Sequence, residues 1–153
     1  MKNTQCFVNE VELQFQKKLF CRNQITSPGD AAEISREIYL ATGSQIELKE
    51  YFFIIMLNRG NEVLGYIKIG EGGINSTQVD LRLAFATAIK CLASCIILLH
   101  NHPSSQLKPS PADIQITKNF SMLGDLLDIK VLDHIILTAN SYCSFNDDGI
   151  CLK

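Results

Sequence analysis

"CIILLHNHPSSQLKPSPADIQIT", residues 95–117, decides how this chain is read. Ile96 to Leu99 form an apolar run closed by turn residues, the mark of a buried strand. Two of the chain's three histidines, His100 and His102, end that run. Side chains at i and i+2 of a strand point to one side, so both imidazoles face the same way. Asn101 between them faces the other way and is free for a structural hydrogen bond. Pro103 removes a ladder donor and turns the chain. "NHPSSQLKPS" reads as loop. "PADIQITKNFSMLGDLL" then reads as an amphipathic helix with Ile114, Ile116, Phe120, Leu123 and Leu127 inward. Ser110 suits the N-cap, Pro111 the first helical position and Asp113 the third.

Two neutral imidazoles on one face suit a borderline-soft divalent cation such as zinc. Asp113 admits two readings: a capping-box carboxylate on orphan N–H groups, or a third ligand on the rigid first turn of a helix. Two histidines and an aspartate would leave a fourth position for water, as catalytic zinc sites do. No cysteine is placed to close that position. The six cysteines, Cys6, Cys21, Cys91, Cys95, Cys143 and Cys151, include no C-x-x-C pair. A zinc ribbon or thioredoxin-type centre is therefore not expected. Cys91 and Cys95, in an apolar helical stretch, read as small buried hydrophobes. Cys95 and His100 are five apart, so on one strand they point to opposite faces and make no thiol-protease pair.

The rest of the chain fits one α/β domain with hairpins, hence a mixed or antiparallel sheet. "EVELQFQ" alternates with Val11, Leu13 and Phe15 on one side, a half-buried strand. "AAEISREIYLATG" is a helix with Ile34, Ile38 and Leu40 near helical spacing and Gly43 as C-cap. "YFFIIMLN" is a strand buried on both faces, and "RGN" turns it into a second strand, "EVLGYIKIG". "EGGINST" is a loop and "DLRLAFATAIKCLAS" a helix. "IKVLDHIILT" is a strand with Val131, Asp133 and Ile135 on one face and Leu132, His134 and Ile136 on the other. "YCSF" is a short last strand. With 153 residues, 46% hydrophobic and 20% charged, a single core is expected. The net charge of -2 argues against binding nucleic acid by charge alone, though a local basic patch is compatible with it. No secretory h-region and no membrane-length apolar run is seen, so a cytoplasmic protein with reduced thiols is expected.

"HNHPSSQLKPSPAD" contains H-x-H-x(7)-S-x-x-D, and in this it resembles the JAMM (JAB/MPN+) metalloproteases. The wording H-N-H-P-S followed by P-S-x-x-D is similar to the RadC-like JAB proteins. "LKEYFFIIMLNRGNEVLGY", "GGINSTQVDLRLAFATAIKCLASCIILLHNHPSS" and "LLDIKVLDHIIL" extend the likeness from about residue 27 to the end. The resemblance implies an N-terminal strand or extension over 1–26 and a RadC-like JAB/MPN domain over 27–153. It implies a mixed sheet flanked by helices, of cytidine-deaminase-like architecture. It also implies one zinc held by His100, His102 and Asp113. Ser110 would donate to an oxyanion, which is compatible with its N-cap role because a hydroxyl has one proton and two lone pairs. The general base would be Glu50. Spacing alone leaves Glu50 an ordinary strand-end charge with Glu47 as competitor; the resemblance selects it.

The activity so implied is zinc-dependent hydrolysis of peptide or isopeptide bonds in a peptide or protein substrate. The alternatives are a non-enzymatic MPN-type scaffold, or an accessory role in DNA repair or mobile-element processes. A nucleobase deaminase would need H-x-E and P-C-x-x-C, which are absent. The chain departs from the RadC pattern at Leu81-Arg82-Leu83, where P-R-E is usual, and at Ser105, where glycine is usual. A helix-hairpin-helix segment, carried by many RadC proteins, is not expected within it. His134 reads as a hydrogen-bonded core histidine or as a support of the zinc site. The loops "GEGGINST" and "SSQLK" are expected to line the cleft, exposed strand edges could take an extended peptide, and a homodimer is possible.

Overall fold

The apolar run at 51–57 forms strand β1 (Glu50–Leu57), buried at every position after Glu50. A computed structural model describes residues 24–72 and 79–152. The strand expected around Val11, Leu13 and Phe15, and most of "EGGINST", lie outside them. β2 (Val63–Gly72) returns antiparallel to β1. β3 (Cys95–Asn101) lies antiparallel along β1's other side. β4 (Lys130–Leu137) runs parallel to β3, and β5 (Tyr142–Ser144) is antiparallel to β4. The sheet is therefore mixed, in the order β2-β1-β3-β4-β5.

Strands buried on both faces need a layer on each. On one face, helix α1 (Pro28–Thr42) packs Ile34, Ile38 and Tyr39 against Phe53, Ile55, Leu99 and Ile135. On the other, α2 (Leu81–Lys90) and α3 (Pro111–Leu127) pack Ala84, Phe85, Ala88 and Phe120 against Phe52, Ile54, Ile96 and Leu98. α3 is the crossover that a parallel β3–β4 pair requires. α1 starts at a full capping box, Ser27 with Asp30, and ends at Gly43 in the left-handed region, φ 67°.

Four expectations fail for identifiable reasons. Leu40 is 82% exposed. The buried line of α1 runs through Ile34, Ser35, Ile38 and Tyr39, and Leu40 lies off that stripe. Leu127 is 43% exposed, because the buried line of α3 is Asp113, Thr117, Phe120 and Gly124. α2 stops at Lys90, since Leu92 turns left-handed at φ 53°. Cys95 opens β3, as the strand reading of "CIILLH" expects, but Cys91 and Cys95 are half-buried, not core. Finally, a register shift between Ile96 and Ile97 pairs them with Val131 and Asp133. The resulting bulge breaks the alternation of β4. Val131 packs with the α2/α3 cluster, whereas Ile135 and Leu137 pack under α1.

Gly124 explains how closely α3 meets the start of β4. A Cβ there would collide with the carbonyl oxygen of Ile129. That carbonyl cannot swing aside cheaply, because the Lys130 N–H of the same planar peptide unit donates to the Ser94 carbonyl at 3.1 Å. Gly124→Ala should therefore destabilise the fold by about 2–3 kcal/mol, read as a lower urea midpoint at unchanged m-value. A shift no larger than that of an ordinary surface substitution would contradict the close approach.

Candidate metal centre

β3 ends where two requirements meet. Its side chains alternate, so His100 and His102 face α3 while Asn101 faces α1. Asn101 uses its full hydrogen-bonding capacity there. Its Oδ1 accepts from the Tyr39 hydroxyl and the Tyr51 N–H, both at 2.8 Å. Its Nδ2 donates to the carbonyls of Ile46 at 2.6 Å and Lys49 at 2.7 Å. The turn before β1 is thereby tied to the strand that carries the histidines, with the clamped groups flanking Glu50 on both sides.

On the α3 side, Asp113 is a cap whose carboxylate also faces the two histidines. Ser110 is the N-cap; its Oγ accepts from the Asp113 N–H at 3.1 Å, and Asp113 Oδ2 accepts from the Ser110 N–H at 2.6 Å. The same carboxylate reaches the histidines, Oδ1 at 3.2 Å from His100 Nε2 and Oδ2 at 3.4 Å from His102 Nε2. The two Nε2 atoms are 2.9 Å apart. Ligands at 2.0–2.2 Å around a tetrahedral ion lie roughly 3.3–3.6 Å from one another. The observed separations fall close to that range, so the three side chains could hold a metal ion with little adjustment.

The electrostatics agree. Each imidazole is enclosed so that its Nε2 is the open nitrogen; for His102, Nδ1 lies 2.6 Å from the Gln106 carbonyl and must donate to it. Three acceptor atoms thus converge on one point, an arrangement that wants a cation. Without a metal a proton serves. The Asp113 carboxylate, hydrogen-bonded to it, raises the pKa of His102 above the ordinary imidazole value despite burial. Asp113 is buried, which by itself would raise its pKa, but the hydrogen bonds from His100 and His102 overcome this and hold it far below the ordinary carboxylate value.

Glu50 sits at the first position of β1. β1 and β3 pair Phe52 with His100, and continuing that register places Glu50 across from His102. Phe52 and His100 stack at 5.6 Å and 6°, so this face of β1 is the face that bears the site. Glu50, Glu47, His102, Ser110 and Asp113 all line one open cleft of about 780 Å³, with Phe52 among its apolar walls. Of the expected loops, Ser104, Gln106 and Lys108 line this cleft. Ser105 adopts φ 60°, the left-handed conformation for which the usual glycine is suited, at a cost of roughly 1–2 kcal/mol for a residue with a Cβ.

The third histidine lies in the same assembly. His134 is fully buried, with Nε2 2.7 Å from His100 Nδ1 and Nδ1 2.7 Å from Thr117 Oγ1. Burial, and next the neighbouring His100, push its pKa well below the ordinary imidazole value. Its neighbour Asp133 serves the scaffold, accepting from the Ser144 hydroxyl at 2.6 Å and the Asn146 N–H at 3.0 Å. Thr117 was not visible from the sequence. Its one signal is its place four residues after Asp113 in α3.

No helix among the described residues is long and apolar enough to cross a membrane. The chain is 42% identical over 127 residues to a UPF0758 protein of Flavobacterium johnsoniae, covering 83% of this chain and 53% of that one. It is 45% identical over 102 residues to a UPF0758 protein of Geotalea uraniireducens, covering 67% and 45%. A UPF0758 protein of Alkaliphilus metalliredigens is 43% identical over 129 residues, covering 83% and 53%. The chain thus spans about half the length of these curated relatives. The family model described as the RadC-like JAB domain matches residues 25–150, and the chain belongs to that family.

Proposed function

We propose that this protein is a zinc-dependent hydrolase of amide bonds, acting on a peptide or an isopeptide-linked protein. The observation that carries the reading is the convergence of His100, His102 and Asp113 within 4.8 Å of one another at a cleft that Glu50 and Ser110 also line. The donor set, two imidazoles and one carboxylate, is the kind that leaves zinc an open position. Zinc bound there would act as a Lewis acid and bring the pKa of a coordinated water to about 7.

The chain's own groups supply the rest. Glu50, across the strand pair from His102, would take a proton from the attacking water and return it to the leaving amine. Ser110 already accepts the Asp113 N–H through one lone pair, which leaves its hydroxyl proton to donate to the oxygen that gains charge as the carbonyl becomes tetrahedral. Asn101 keeps the Glu50 segment in register with the histidines. The Phe52 wall lowers the local polarity and so strengthens these interactions.

The test is a panel of peptides and isopeptide-linked conjugates incubated with zinc-loaded protein, with and without chelator. Cleavage that chelator abolishes and added zinc restores is the expected result. A metal-loaded, folded protein that cuts nothing in the panel but binds a protein partner would move the scaffold reading into its place.

A further inference from the structure

Hydrogen-bond chains inside a protein have a direction when one end can only accept. The Asp113 backbone carbonyl is such an end. Thr117 Oγ1 lies 2.6 Å from it and must donate its proton there. The threonine oxygen therefore accepts from His134 Nδ1, 2.7 Å away, and that nitrogen carries the hydrogen. A neutral ring with Nδ1–H has a lone pair at Nε2. His134 Nε2 accordingly accepts from His100 Nδ1–H at 2.7 Å, and the lone pair of His100 is left at Nε2. That is the atom facing His102 and Asp113.

The two rings have little room for another arrangement. His100 and His134 are both 0% exposed. Phe52 stacks on His100, and Phe145 lies 4.6 Å from His134 at 34°. An aromatic ring lies against each imidazole, and the polar partners of both rings meet their nitrogens. The chain of bonds begins and ends on the same residue: Asp113 fixes it through its carbonyl and meets the other end with its carboxylate.

We propose that Thr117 and His134 are positioning residues that set the tautomer of His100 and so keep its Nε2 open for the metal before any metal arrives. The proposal rests on the metal-centre reading, but not on hydrolysis. Removing the hydroxyl should reverse the whole relay. In Thr117→Val the helix and side-chain volume are kept, yet His134 Nδ1–H loses its acceptor. Nε2–H then becomes the better tautomer for His134, because it can donate to His100 Nδ1. That pushes the proton of His100 onto Nε2 and blocks the ligand atom.

With three histidines in the chain, long-range ¹H–¹⁵N spectra of the metal-free protein at mildly alkaline pH can identify each ring. Nδ1–H at both His100 and His134 is expected in the wild type, and Nε2–H at both in Thr117→Val. Zinc affinity should fall about 10–100-fold in that variant, and Thr117→Ser should restore both tautomers and affinity. Wild-type rings already protonated at Nε2 would overturn the proposal without any variant. So would a Thr117→Val protein whose tautomers are unchanged, or one whose tautomers reverse while zinc binding stays within twofold. Failure of the hydrolase reading would look different: correct tautomers and tight zinc, with no amide cut.

Discussion

His102→Ala should abolish metal uptake, against an expected uptake of about one zinc per chain in the wild type. The substitution leaves only His100 and Asp113, and two ligands hold zinc far too weakly to survive purification. His102 is the better ligand to remove because its side chain is 14% exposed. Water from the cleft can reach the Gln106 carbonyl that it abandons. His100→Ala, by contrast, would leave His134 Nε2 unpaired in the core. Metal content per folded chain is the readout, with the urea midpoint as the control for fold. Uptake should also depend on pH in a defined direction. The Asp113 carboxylate raises the pKa of His102 in the metal-free protein, so below that pKa zinc must displace a proton from it. Affinity should climb by about tenfold per pH unit below that raised pKa and level off above it, for one proton displaced. Calorimetry in buffers of different ionisation enthalpy counts that proton. An affinity flat from acid to alkaline pH, or zinc retained by His102→Ala, would place the metal elsewhere.

The elements that hold this centre were legible to different degrees. β1 and β3 announce themselves as unbroken apolar runs, and the Ser110-Pro111-x-Asp113 start of α3 is a strong local signal, since capping acts within four residues. The two readings of Asp113 could not be separated by sequence because one carboxylate faces both the helix N–H groups and the histidines. What escaped depends on non-local geometry. Apolar counting put Leu127 inside α3, yet the buried stripe holds Asp113, Thr117 and Gly124, two polar residues and one without a side chain. Those residues are there for the relay and for the close approach to Ile129, neither of which a hydrophobic pattern encodes. Likewise strand alternation cannot foresee the bulge that moves Val131 to the other face. Glu50 is the clearest case. Nothing within its own segment distinguishes it from Glu47, and both line the cleft; its place at the head of β1, two residues before the Phe52–His100 pair, is a matter of register with β3.

That register is what makes Glu50→Gln the sharpest test of the chemistry. Glutamine keeps the volume and the hydrogen-bonding reach of glutamate but cannot take up a proton at neutral pH. Glu50 stands outside the His100, His102, Asp113 cluster, so the variant should still load zinc fully. Its kcat on any amide that the wild type cuts should fall by about 10²–10⁴-fold, the usual contribution of a positioned general base. Substrate affinity should change little, because the proton transfer occurs only on the way to the transition state. Glu47→Gln is the matched comparison. Glu47 lines the same cleft but is exposed and lies in the turn ahead of β1, off the strand pair that aligns Glu50 with His102. It should retain activity within a few-fold. If Glu47→Gln loses activity and Glu50→Gln keeps it, the base belongs to the turn. If both keep it while chelator still abolishes cleavage, the proton leaves the water by another route, and the carboxylates of the cleft serve substrate binding instead.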